Sequence, residues 1–154
     1  MRAEIVTVIR SPPERVFAIL HDYARRLEWD TLLTRAELLG GAAEAGVGVR
    51  TLCVGRRIPM ETEYVSFVPG KVAAVKLVAP RFPFRTFAAT IRHEPVSEDS
   101  SRVTYIYSFS ASPRALAWLL EPILNALLRL ETRRRLSSLK AHVEATFCQN
   151  SGSG

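Results

Sequence analysis

The chain has little of what would announce a dedicated chemistry. Its two cysteines, Cys53 and Cys148, stand alone, with no CxxC and no nearby histidine at ligand spacing. That excludes a disulfide scaffold and a zinc site, and no metal is expected. No apolar run approaches the roughly 20 residues needed to span a bilayer, and Met1-Arg2-Ala3-Glu4 opens directly into an alternating segment without the apolar core of a signal peptide. The cytoplasm is therefore the expected location. No P-loop, GxGxxG or GxSxG motif is present, and Gly46-Val47-Gly48-Val49 opens a strand, where a phosphate cradle would open a helix. Neither a cofactor nor a Ser/His/Asp arrangement is expected. The three histidines, His21, His93 and His142, are far apart in sequence. His93, the one on a strand, is the candidate for a ligand contact, and the other two are expected at the surface.

What is present describes one folded domain. Of 154 residues, 47% are hydrophobic and 23% charged, ordinary values for a single core and far from the signature of disorder. The domain is expected to occupy residues 1–148, with 149–154 a flexible tail ending in Ser151-Gly152-Ser153-Gly154. The net charge of +6 would suit an anionic partner. The arginines are scattered along strands and loops, however, without interleaved aromatics or a helix-turn-helix, so nucleic acid is not an expected partner. Arg133-Arg134-Arg135 reads as a solvated helix face, supported by Glu131 to Arg135 at i, i+4.

Ala3 to Arg10 alternates with the period of a strand, Ile5, Thr7 and Ile9 on one side. Ser11-Pro12-Pro13-Glu14 then reads as a capping box with proline in the first turn, which predicts a short helix from Pro12 to about Leu20. A second short helix or turn follows, with Trp29 as its large apolar anchor. From Leu33 to about Ser110, turn signals such as Gly40-Gly41, Pro69-Gly70 and Glu98-Asp99-Ser100 separate some six strands, which short turns would pair antiparallel. In the clearest of them Val103, Tyr105, Tyr107 and Phe109 share a face. Ser112-Pro113 repeats the cap-then-proline start of a helix that reaches about Phe147 without a glycine, and Pro122 should bend it. Along this helix Leu116, Leu120, Ile123 and Leu127 form one apolar stripe, and Leu136, Leu139, Val143 and Phe147 another, roughly 160° apart. One flat partner cannot bury both.

The predicted fold class is thus α+β: a curved antiparallel sheet of about seven strands against a long C-terminal helix, with two short helices between strands one and two. Ile9-Arg10-Ser11-Pro12-Pro13-Glu14-Arg15-Val16-Phe17, then Asp22-Tyr23 with Trp29-Asp30, then Leu136, Leu139-Lys140 and Glu144, resemble the opening strand, second short helix and terminal helix of the helix-grip superfamily. That superfamily contains Bet v 1, START lipid-transfer domains and the polyketide cyclase/dehydrase group. The resemblance implies a cavity between sheet and helix for one hydrophobic small molecule such as a lipid or polyketide. It does not imply one chemistry. Non-catalytic binding or transport is one reading. The alternative is a cyclase or dehydratase in which a cavity Tyr, His or Asp exchanges a proton with the ligand.

Tyr105, Tyr107 and Phe109 are candidates to line such a cavity or to pack a plain core, and Phe84, Phe87 and Tyr64 share that ambiguity. Trp29 and Trp118 fall where this architecture would close a cavity, as does the first half of the long helix with Leu119 and Ile123. That half, loosened by Pro122, is expected to act as a movable gate. A membrane surface or a second subunit would serve equally as the partner of its leucines, so contact with a membrane and the choice between monomer and homodimer stay open.

Overall fold

In the computed structural model, residues 1–55 and 58–152 are described, with the Ser151 side chain excepted. The expected tail positions Ser153 and Gly154 lie outside the described residues, and the last helix runs through Gln149 and Asn150. Strands β1 (Arg2–Ile9), β2 (Arg35–Leu38), β3 (Arg50–Val54), β4 (Pro59–Val68), β5 (Val72–Leu77), β6 (Phe84–Ser97) and β7 (Ser100–Ala111) form one antiparallel sheet in the order β1-β7-β6-β5-β4-β3-β2. The first two strands in sequence therefore lie at opposite edges. The segment joining them carries helix α1 (Pro13–Leu20) and a 3-10 turn (Tyr23–Glu28) from one edge to the other.

Alternation is what fixes the inner face. In β1 Ala3, Ile5 and Ile9 are buried, and β7 buries Val103, Tyr107 and Phe109 on the matching side. Cross-strand partners share a face, so the register Phe87↔Phe109, Ala89↔Tyr107, Ile91↔Tyr105 and His93↔Val103 continues that surface onto β6. Helix α2 (Ala117–Ser151), about 50 Å long at 1.5 Å per residue, crosses it.

Two expected helix starts differ. Ser11 does not cap α1: Pro12 occupies the cap position, and no side chain bonds the first turn. Consecutive prolines at 12 and 13 remove two of the unpaired N–H groups at the helix start, and Ser11 sits one residue too early to cap it. The long helix does not begin at Ser112-Pro113 either. Pro113 is extended (φ −76°, ψ 153°), the Ser112 N–H donates to the Pro83 carbonyl at 2.8 Å, and a 3-10 turn over Arg114–Leu116 precedes α2.

The two stripes of α2 meet different fates. Leu136, Leu139 and Val143 are fully enclosed with Ile5, Ile9 and Trp29, and the same half is tied to the β1 edge by Lys140 Nζ donating to the Val8 carbonyl and the Arg10 N–H donating to Glu144. Leu116, Ile123 and Leu127 are about half exposed, and Trp118 is 75% exposed. This half packs Leu124 and Leu128 on the core and is tied by the Tyr107 hydroxyl to Asn125 Oδ1 (2.9 Å) and to the Asn125 carbonyl (3.3 Å), and by the Ala111 N–H to Glu121 (3.1 Å). The helix runs on through Pro122. Among the described residues no helix is long and apolar enough to cross a membrane.

Candidate functional site

Between the inner face and the first half of α2 lies a cavity of about 540 Å³, within the usual range for small-molecule sites. Small side chains make room for it. Ala73 and Ala89 stand at buried inner-face positions of β5 and β6, where larger residues would fill the space. The wall is apolar along β6 and the first half of α2, with Phe84, Phe87, Ile91, Leu124, Leu127 and Leu128, and Met60 and Val75 stand across from Cys53 and Tyr64 on the neighbouring strands. Toward Arg135 the wall is polar, with His21, Tyr23, Arg26, Cys53, Thr62, Tyr64, Glu131 and Arg135.

The polar end is built on Asp30, which has no exposed surface. Its Oδ2 accepts from Arg26 Nε and from Arg135 Nε, both at 3.0 Å, while Oδ1 accepts the Leu32 N–H at 3.3 Å. Arg26 also donates to the Leu20 carbonyl (2.9 Å), and its guanidinium lies over the Trp29 and Tyr23 rings at 4.7 and 5.5 Å. Burial opposes its charge, but the Asp30 carboxylate beside it, and Tyr23 and Cys53 once they ionise at high pH, hold its pKa above the ordinary arginine range. Burial pushes the Tyr23 hydroxyl and the Cys53 thiol upward, so both stay neutral donors at neutral pH.

Beside this lies a chain of rings. His21 Nδ1 and the Tyr64 hydroxyl are 2.7 Å apart, and the Tyr64 hydroxyl donates to Tyr23 Oη at 3.3 Å. Burial raises the Tyr64 hydroxyl well above the tyrosine range. His21 was expected at the surface. It is instead buried under α1 because its ring packs against Phe17 and Phe67 as well as Tyr64. Burial first, then Arg26 and His93, lower its pKa to about 3. Burial alone lowers that of His93 to about 4.

The sequence-derived candidates divide. Tyr64, Phe84, Phe87 and Tyr105 line the cavity. Tyr107 and Phe109 lie behind it, Tyr107 stacked on Phe87 and Phe109 edge-on to Phe84. Trp29 sits in the core beneath Arg26, and His93 packs against Phe17 away from the wall. Trp118, Leu119 and Ile123 are on the outer side of α2. Sequence reasoning missed Leu124, Leu128, Arg135, Arg26 and His21. A signal existed for three of these, since residues 124, 128, 135 and 139 fall within roughly 60° of one another around a helix. Among the described residues no group of His, Cys, Asp and Glu gathers that could hold a metal.

A family model described as polyketide cyclase/dehydrase and lipid transport matches residues 2–144. No curated protein matches the chain in sequence. Among solved structures, a protein of Thermus thermophilus superposes with a TM-score of 0.78 at 18% identity over 95% of this chain and 99% of its own. A START superfamily protein from Mycobacterium smegmatis gives 0.78 at 10% identity, covering 94% and 98%. The Zhui aromatase/cyclase from Streptomyces sp. R1128 gives 0.74 at 15% identity, covering 94% and 93%. At these identities the likeness is one of fold.

Proposed function

Because the chain belongs to the polyketide cyclase/dehydrase and lipid transport family, we propose that it binds one hydrophobic small molecule in the cavity between sheet and α2 and carries it unchanged. The observation that supports this reading is the wall itself, apolar along most of its length and polar at one end, as suits a molecule held by shape and oriented by few groups. Burial of apolar surface supplies the affinity without any acid–base pair. The test is titration with 1-anilinonaphthalene-8-sulfonate. Saturable enhancement at one site is expected in the native protein, and Ala89→Trp, which fills the cavity from β6, should abolish it while circular dichroism stays native. Absence of enhancement in the folded parent protein, or full enhancement in Ala89→Trp, contradicts the reading.

A second reading, cyclisation or dehydration of a polyketide-like chain, is favoured by the hydrogen-bonded chain His21–Tyr64–Tyr23 at the cavity wall. A solved relative in fold is named an aromatase/cyclase. In that reading the Tyr64 hydroxyl, positioned by His21 and Tyr23, would polarise a carbonyl of the bound chain through a hydrogen bond. Tyr64→Phe would then stop turnover of a poly-β-ketone thioester without lowering its affinity, whereas a carrier shows no turnover to lose.

A further inference from the structure

The polar end of the cavity holds two guanidinium groups on a single carboxylate oxygen. Arg26 and Arg135 both donate through Nε to Asp30 Oδ2. Ion pairing is therefore incomplete: two cations meet one anion, and they lie close enough to repel each other through that shared atom. Arg26 is further occupied by the Leu20 carbonyl and by two aromatic faces. Arg135 differs. Its side chain is 20% exposed, it lines the cavity, and its terminal nitrogens make no hydrogen bond among the described residues. Glu131, one turn earlier on the same face of α2, is exposed at the rim and forms no ion pair with it among the described residues.

Apart from Arg26 and the rim carboxylate Glu131, the groups that line the cavity around this fork are neutral. The Tyr23 hydroxyl and Cys53 thiol are protonated at neutral pH, and His21 is an uncharged imidazole. Beyond them the wall turns apolar toward Leu128, Leu124 and Phe87. A wholly apolar ligand would give the Arg135 fork nothing to donate to, and a neutral oxygen would accept from it more weakly than a carboxylate does. An anionic head would give the unpartnered terminal nitrogens of Arg135 an acceptor, and a planar carboxylate matches the two parallel N–H groups of a guanidinium edge.

We propose that the ligand is an amphiphile with a carboxylate head, the head bound by the free edge of Arg135 beside Arg26 and the apolar body lying along Phe87, Leu124 and Leu128. This rests on the cavity being the ligand site, and the test separates the two claims. The probes are cis-parinaric acid, an intrinsically fluorescent fatty acid, and its methyl ester, which keeps the chain and loses the charge. The wild-type protein at pH 7.5 should bind the acid at least tenfold more tightly than the ester. Arg135→Gln should weaken the acid about tenfold, leave the ester unchanged and so bring the two affinities together. Equal affinities in the wild-type protein, or an acid affinity untouched in Arg135→Gln, overturn the carboxylate and leave the cavity standing. Binding of neither probe to the folded protein overturns both.

Discussion

Lowering the pH from 7.5 to 5.0 should cost this domain about 4 kcal/mol of stability, through two buried histidines. His21 and His93 are 9% and 4% exposed, packed with Phe17 between them, and burial brings their pKa values to about 3 and about 4. Unfolded, both titrate near 6.5. At pH 5 the unfolded chain therefore holds two more protons than the folded one, and the binding of protons to the unfolded state draws the equilibrium toward it. Stability from this source is fully present above pH 6.5. It falls as the pH drops toward the folded values and is exhausted below them. Each unit is worth about 1.4 kcal/mol, so the unit and a half from 6.5 to 5.0 costs about 2 kcal/mol per histidine. Both folded pKa values lie beneath pH 5, so the figure does not depend on their exact positions. The condition is also above the ordinary carboxylate range, which keeps acidic groups out of the difference. For a domain with a total of about 5–15 kcal/mol, such a loss is large. Urea denaturation at the two pH values measures it. His93→Leu, a near-isosteric replacement that cannot titrate, should lose only about half as much on acidification. A change below 1 kcal/mol in the parent protein, or an undiminished change in His93→Leu, would refute the reasoning.

Tyr107→Phe removes the hydroxyl that donates to Asn125 Oδ1 and keeps the ring stacked on Phe87. It should lower stability by about 1 kcal/mol in thermal unfolding, and a loss of several would show that the hydroxyl anchors far more than one turn of α2. Native-state hydrogen exchange should be faster at Leu116 to Leu124, where the apolar stripe is exposed, than at Leu136 to Val143, where it is enclosed. A bound ligand should slow the first segment selectively. Equal protection of both segments, unchanged by cis-parinaric acid, would contradict the gate.

Alternation made the strands legible, and β1 and β7 bury the residues their period assigns to one side. The polar end of the cavity was illegible for a definite reason. Tyr23–Asp30 is rich in charge and reads as solvent-facing, and what buries Arg26 is a carboxylate one turn on, itself shared with Arg135 from 105 residues away. No local pattern encodes that third partner. Arg135 itself was hidden in plain composition, directly after two exposed arginines, although its angle on the helix aligns it with Leu124 and Leu128. The choice of Leu119 and Ile123 over Leu124 and Leu128 turned on the rotation of α2 about its axis. That rotation is set downstream by Leu136, Leu139 and Val143 locking onto the sheet.

The sharing of Asp30 divides the cavity into a part that can drift in descent and a part that cannot. The carboxylate joins the crossover segment to α2 at the same atom that holds the two guanidinium groups, so any change there loosens the frame along with the recognition surface. Phe84, Phe87, Met60 and Leu128 carry no such double duty, and apolar residues of similar volume replace one another at little cost. A lineage built on this scaffold would thus exchange the body of its ligand readily while keeping the chemistry of the head, and new specificities would arise from the apolar end inward.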